Sequence, residues 1–112
     1  QALVTLNDPQ FIEASRALAQ RVMIEGGKTD AEKIDFAWKL VTARTPSMSR
    51  SQILQTIFQE ELALFQKHPD KARDLLEVGD SQRDENLDPA RHAAWTVIAN
   101  LLLNMDEALT RG

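Results

Sequence analysis

The sequence predicts an all-α fold, a compact orthogonal or up-down bundle of about four long helices plus one short helix, with residues 1–112 forming a single domain. Three observations carry this. Apolar residues recur at spacings of three and four along several segments. Helix-starting residues stand before those segments and Gly or Pro after them. No segment alternates with the two-residue period of a strand.

Asp8-Pro9 opens the first helix, because Asp accepts from free N–H groups at the N-cap and Pro, lacking a donor, fits the first helical position. This helix is expected to run to about Glu25, with Phe11, Ala14, Leu18 and Val22 as its apolar stripe and Gly26-Gly27 as a left-handed stop. Thr29 and Glu32 have the spacing of a capping box and start a second helix, about Asp30 to Arg44. Ile34, Phe36, Ala37, Trp38, Leu40 and Val41 make that helix apolar nearly all round, so it is expected to be the central, most buried one. Pro46 ends it, and Ser49 with Gln52 repeats the capping-box pattern. The third helix presents Ile53, Leu54, Ile57, Phe58, Leu62 and Phe65 and halts near His68-Pro69. A short fourth helix, about Asp70 to Val78, stops at Gly79. Asp80 to Leu87 is a polar, acidic loop, after which Asp88-Pro89 repeats the first opening device. The last helix then places Trp95, Ile98, Leu102, Met105 and Leu109 along one seam. The residues after the two Asp-Pro pairs do not align, so the recurrence is one capping chemistry used twice and not an internal repeat.

Composition excludes several functions. A chain of this length buries roughly two thirds of its unfolded surface, so one core suffices without disulfide or metal staples. Thirteen basic residues against 17 acidic ones give a net charge of -4, which offers no cationic field to a phosphate backbone, and nucleic-acid binding is not expected. Val97 to Leu103, the longest apolar run and already interrupted by Asn100, falls far short of the roughly 20 residues of a membrane span. Cysteine is absent, which removes disulfides, thiolate metal sites, thiol catalysis and covalent haem attachment, and leaves the compartment undecided. Gln1 to Leu6 lack the features of a signal peptide, and Gln1 in place of Met is expected of an excised fragment.

Three stretches carry a resemblance. Ala2-Leu3-Val4-Thr5-Leu6-Asn7-Asp8-Pro9-Gln10-Phe11, then Arg44-Thr45-Pro46-Ser47, then the run from Ala94 through Asn100 and Asn104 to Glu107 resemble the C-terminal end of the planctomycete-type domain of unknown function number 1553. Leu75 to Ser81 and Leu87-Asp88-Pro89 also match that pattern. Gln52, Met105 and Ala108 depart from it, at the cost of local packing only. The resemblance implies a large exported or periplasmic parent, often with a cytochrome-c-like or other domain upstream, of which this chain is the terminal helical part. It implies no active site, because the family has no mapped catalytic residues.

The chemistry-bearing residues have plain structural readings. His68, before a proline at a helix end, suits the C-terminal carbonyls, and His92 is expected to meet Asp88 on the surface; neither has partners at metal- or haem-ligand spacing. Asp84, Asn86 and Asp88 begin like a calcium loop, but Pro89 stands where its glycine belongs and Trp95 where its bidentate glutamate belongs. Glu60-Glu61 with Asp106-Glu107 could form an acid and base pair, but helical acids usually form a solvated face. Arg44 is read as a basic residue at a helix C-terminus, and Asn100 with Asn104 as a staple to loop backbone near Leu6-Asn7. No nucleophile elbow or glycine-rich phosphate loop is present.

The sequence therefore predicts no catalytic, cofactor-binding or metal-ligating residue and no cofactor. It points to a non-enzymatic structural or interaction module of a larger exported protein, whose partners are other domains of the same polypeptide. The alternative is that the chain completes a catalytic or carbohydrate-handling site of the full-length protein through Arg44, Asp84 or His92. A third reading, an adaptor for a partner helix, needs an exposed apolar groove.

Overall fold

The computed structural model describes residues 8–79 and 82–111, with side chains through Met105. Five helices, α1 (Pro9–Glu25), α2 (Asp30–Thr42), α3 (Met48–Lys67), α4 (Pro69–Leu76) and α5 (Pro89–Arg111), make up the fold, and the described residues include no strand. The first four helices follow one another around α5, which packs against all of them. The radius of gyration, 13.0 Å, matches the roughly 13 Å of a compact chain of this size.

The caps explain most boundaries. Asp8 accepts from the Gln10 N–H at 3.0 Å and Pro9 follows at the first helical position. Gly26 closes α1 with its N–H on the Val22 carbonyl, and Gly27, at φ 108°, makes the left-handed turn. The Thr29–Glu32 capping box forms in full. α2 ends earlier than expected. Ala43 adopts φ 61°, ψ 22° and closes on Lys39, while the Thr42 hydroxyl bonds the Trp38 carbonyl and receives the Arg44 N–H, so the helix stops before Pro46 can act. α3 is capped by Ser47, whose hydroxyl accepts from the Arg50 N–H at 3.2 Å. The expected cap, Ser49, instead lies within the first turn, and Ser47, extended at ψ 158°, takes the N-cap position. Asp88 caps α5 through its carboxylate on the Arg91 N–H.

Two packing expectations are corrected. The inward face of α1 is Ile12, Ser15, Arg16, Ala19 and Val22, while Ala14 is exposed and Phe11 and Leu18 sit half-buried at the rim. The expected stripe was displaced because this face contains two polar residues with partners inside the protein. The central helix is α5, not α2. Every residue from His92 to Asn100 is buried, and Ala93, Ala94 and Ala99 let neighbours approach closely. α2 keeps Leu40 exposed and Phe36 and Val41 only half-buried. On α3, Leu54, Phe58, Leu62 and Phe65 face inward and Ile53 faces solvent. Phe58 meets Trp95 with ring centroids 4.2 Å apart, joining α3 to the middle of α5. Of the expected seam on α5, Trp95, Ile98 and Leu102 are buried and Met105 packs at its edge; Leu109 lies outside the described side chains.

Candidate functional site

Apart from Lys33 of α2, the buried polar residues among those described belong to α1 and α5: Ser15, Arg16, His92, Thr96 and Asn100. Arg16 is 3% exposed, and its Nη1 donates to the carbonyls of Leu76 at 2.7 Å and Val78 at 3.1 Å. The first of these ends α4, where a helix has no internal donors left and its dipole favours a cation, and the second follows two residues later. Glu13, one turn earlier, holds a carboxylate 4.0 Å from Arg16 Nη2. Gln20, one turn later on the same face, accepts the Asp84 N–H at 3.0 Å and so fixes the chain that leads into α5.

His92 stands in the first turn of α5 and is 0% exposed. Its Nε2 lies 3.2 Å from the Arg16 carbonyl oxygen. A carbonyl can only accept, so this nitrogen carries the hydrogen and Nδ1 keeps a lone pair, buried and without a hydrogen-bond partner among the described residues. Burial holds the imidazole below its usual titration range. The charges of Arg83 and Arg16 act in the same direction, and the Arg16 carbonyl and Asp84 oppose them. Two turns along α5, Asn100 donates to the Ser15 hydroxyl at 3.1 Å, Ser15 donates to the Phe11 carbonyl, and Asn104 folds back onto Asn100.

A second polar node binds the other side. Arg91 Nη2 meets Asp30 at 2.7 Å with its guanidinium 5.3 Å from the Phe58 ring centroid, and Gln59 donates to the same carboxylate, so α2, α3 and α5 share one anion. Lys33 Nζ closes the α1–α2 turn on the Gly27 carbonyl.

The residues singled out in the sequence are dispersed over these parts. His92 does not pair with Asp88 at the surface; the N-cap geometry turns Asp88 to the Arg91 amide and the helix turns His92 inward against α1. Asn100 is the expected tertiary staple, but its partner is Ser15; the Leu6-Asn7 segment lies outside the described residues. Asp84 accepts from the Asn86 N–H and Asp88 caps α5, so both serve the local turn. His68 is half-buried at the α3–α4 junction. Arg44 is exposed beyond the end of α2. Partial burial, with Glu60 adding like charge, raises the Glu61 carboxyl, and the acids expected opposite, Asp106 and Glu107, lie outside the described side chains. Arg16, Ser15 and Gln20 were missed, although a Ser-Arg pair inside an apolar helical face was the available signal. Among the described residues no group of three His, Asp or Glu could hold a metal, and no helix is long and apolar enough to cross a membrane.

What this arrangement does chemically is fasten. Each polar group on the inward face of α1 holds a different element: Ser15 the middle of α5, Arg16 the end of α4 and the start of α5, and Gln20 the connection between them.

No match to the chain is found among the curated proteins or among the solved structures. A family model described as a protein of unknown function (DUF1553) matches residues 1–58, which take in α1, α2 and the first half of α3; the resembling stretches from Leu75 onward lie beyond that match. With just over half its length matched, the chain belongs to the DUF1553 family.

Proposed function

We propose that the chain is a helical structural or interaction module of a larger exported protein, with no activity of its own, and that its partners are other domains of the same polypeptide. The observation that carries this reading is the use of the polar groups between α1 and α5: Arg16, Ser15 and Asn100 are buried and hold one helix to another, and the half-buried Gln20 holds the chain that leads into α5. A catalytic group needs an accessible reacting atom, and the most chemically versatile residue here, His92, is fully buried and bonded to α1. The competing reading, completion of a catalytic or carbohydrate-handling site, is left with Arg44 and Asp84, one exposed and one half-buried on different elements.

Calorimetric titration of this chain against the remainder of its parent polypeptide tests the proposal. Saturable binding that survives Arg44→Ala and Asp84→Ala is expected. The module reading fails if the two pieces do not associate, or if either substitution abolishes a ligand-binding activity of the parent without changing its melting temperature.

A further inference from the structure

The charges are not spread evenly along the chain. From Phe36 to Gln59, the second half of α2, the turn after it and most of α3, the sequence holds Lys39, Arg44 and Arg50 and no acid, although the whole chain has 17 acidic residues against 13 basic ones. Gln59 reaches Asp30 and Arg50 reaches Trp38, so α2 and α3 form an antiparallel hairpin that brings the three cations to one end. Lys39 lies in the last turn of α2, and its carbonyl accepts the Ala43 N–H that closes the helix. Ala43, at φ 61°, then turns the chain, and the Thr42 hydroxyl holds the Arg44 N–H. Arg50 stands in the first turn of α3 with its guanidinium 5.8 Å from the Trp38 ring centroid. All three side chains are exposed. Among the described residues none of them forms an ion pair, with Asp35 and Glu60, the nearest acids in sequence, or with any other acid.

The same end exposes large apolar groups. Met48, the first residue of α3, is 78% exposed, and Ile53, one turn after Arg50, is 58% exposed. We propose, building on the module reading, that this end of the α2–α3 hairpin docks an acidic amphipathic peptide segment, whose carboxylates meet Lys39, Arg44 and Arg50 while its apolar side chains cover Met48 and Ile53.

The chemistry of the surface selects that partner. Two of the three cations are guanidinium groups, each able to hold a carboxylate through two parallel N–H donors, and an unbranched Met adapts to the side chain it meets. A nucleic-acid duplex or an anionic bilayer extends beyond a molecule of 34 × 29 × 27 Å and would also face the rest of the chain, which carries all 17 acids. A short segment meets the hairpin end alone.

The test is a proton–nitrogen NMR titration of the 112-residue chain with a synthetic helical peptide that carries Leu at spacings of three and four and Glu between. The same peptide with Lys in place of Glu, a single-stranded oligonucleotide and phosphatidylglycerol vesicles serve as comparisons. Amide shifts are expected between Lys39 and Ile53, weakening in about 1 M salt, where the screening length falls to about 3 Å. Lys39→Glu with Arg50→Glu should weaken the peptide about tenfold, and Lys39→Glu with Arg44→Glu, which leaves Arg50 on Trp38, by as much; Arg44→Ala alone removes one exposed charge of three and should cost about two- to fivefold. Failure of the acidic peptide to bind, shifts centred elsewhere, equal binding of the Lys peptide, or tighter binding of the oligonucleotide or vesicles would overturn the proposal. So would concentration-dependent shifts of the same amides without peptide, the mark of a second copy as the occupant. The remainder of the parent polypeptide separates this surface from the module reading. If that remainder binds wild type and Lys39→Glu/Arg50→Glu equally well, the surface is refuted and the module reading stands; if it binds neither, the module reading falls and the peptide titration still decides the surface.

Discussion

One buried guanidinium, that of Arg16, satisfies both the carbonyl that ends α4 and the Val78 carbonyl just beyond it. Arg16→Met keeps the length of the stem and removes the donors, leaving the Leu76 and Val78 carbonyls unpaired at about 1–3 kcal/mol for a buried group. A fall of about 2 kcal/mol in urea-unfolding stability is expected, with the slope against denaturant unchanged. Gly79, at φ 86°, is constrained differently: the Glu13 side chain occupies the place where a Cβ would sit. Gly79→Ala is expected to cost at least about 1–2 kcal/mol from the left-handed backbone alone, and a neutral result in the same assay would refute the contact. At this scale the sequence was least legible. A buried Arg and a surface Arg are the same letter, and what separates them is the end of α4, some sixty positions away. His92 was misplaced for the same reason, since the nearest acid in sequence, Asp88, was already committed to an amide.

Helix boundaries, by contrast, depend on neighbours within four residues, and there the sequence was legible to within a turn. Asp8-Pro9, the Thr29–Glu32 box and Asp88-Pro89 all do what their chemistry requires. The error at α3 can be tested directly. Ser47→Ala should cost about 1 kcal/mol as the loss of an N-cap, and Ser49→Ala only a few tenths, with thermal unfolding as the readout. The reverse order would restore Ser49 as the cap. The capping box of α2 has its own acid sensitivity. Backbone hydrogen bonds from Thr29 and Lys28 hold the Glu32 carboxyl below its usual value of 4.5, so its contribution is present above that pH and lost as the pH falls through the depressed value. Thr29→Ala should cost about 1 kcal/mol at neutral pH and less in acid, where the box is already open.

For the molecule as a whole, the question was which helix the others surround, and hydrophobic character alone pointed to the wrong one. α2 is rich in large apolar residues but carries Lys33, Asp35 and Lys39 among them, whereas no charged residue stands between Arg91 and Asp106. A helix enclosed on all sides has no face on which to place a charge, so the uncharged run was the better signal. Small residues add to it, since Ala93, Ala94 and Ala99 give three approaches to one axis. The consequence is measurable in the two tryptophans. Trp95 is 1% exposed and packs on Phe58 of α3, while Trp38, buried at 6% exposure, has the exposed Arg50 guanidinium 5.8 Å from its ring centroid. Trp95→Ala removes contacts to several helices at once and should cost about 3–5 kcal/mol, a large part of the 5–15 kcal/mol that keeps a domain folded. Trp38→Ala leaves a cavity that rim side chains and water can partly fill, so its cost should be smaller, with the sharp thermal transition retained. Near-ultraviolet circular dichroism followed through melting separates the two: Trp95→Ala should flatten the transition, as expected of a core that has lost its axis. A flatter transition for Trp38→Ala than for Trp95→Ala would return α2 to the centre.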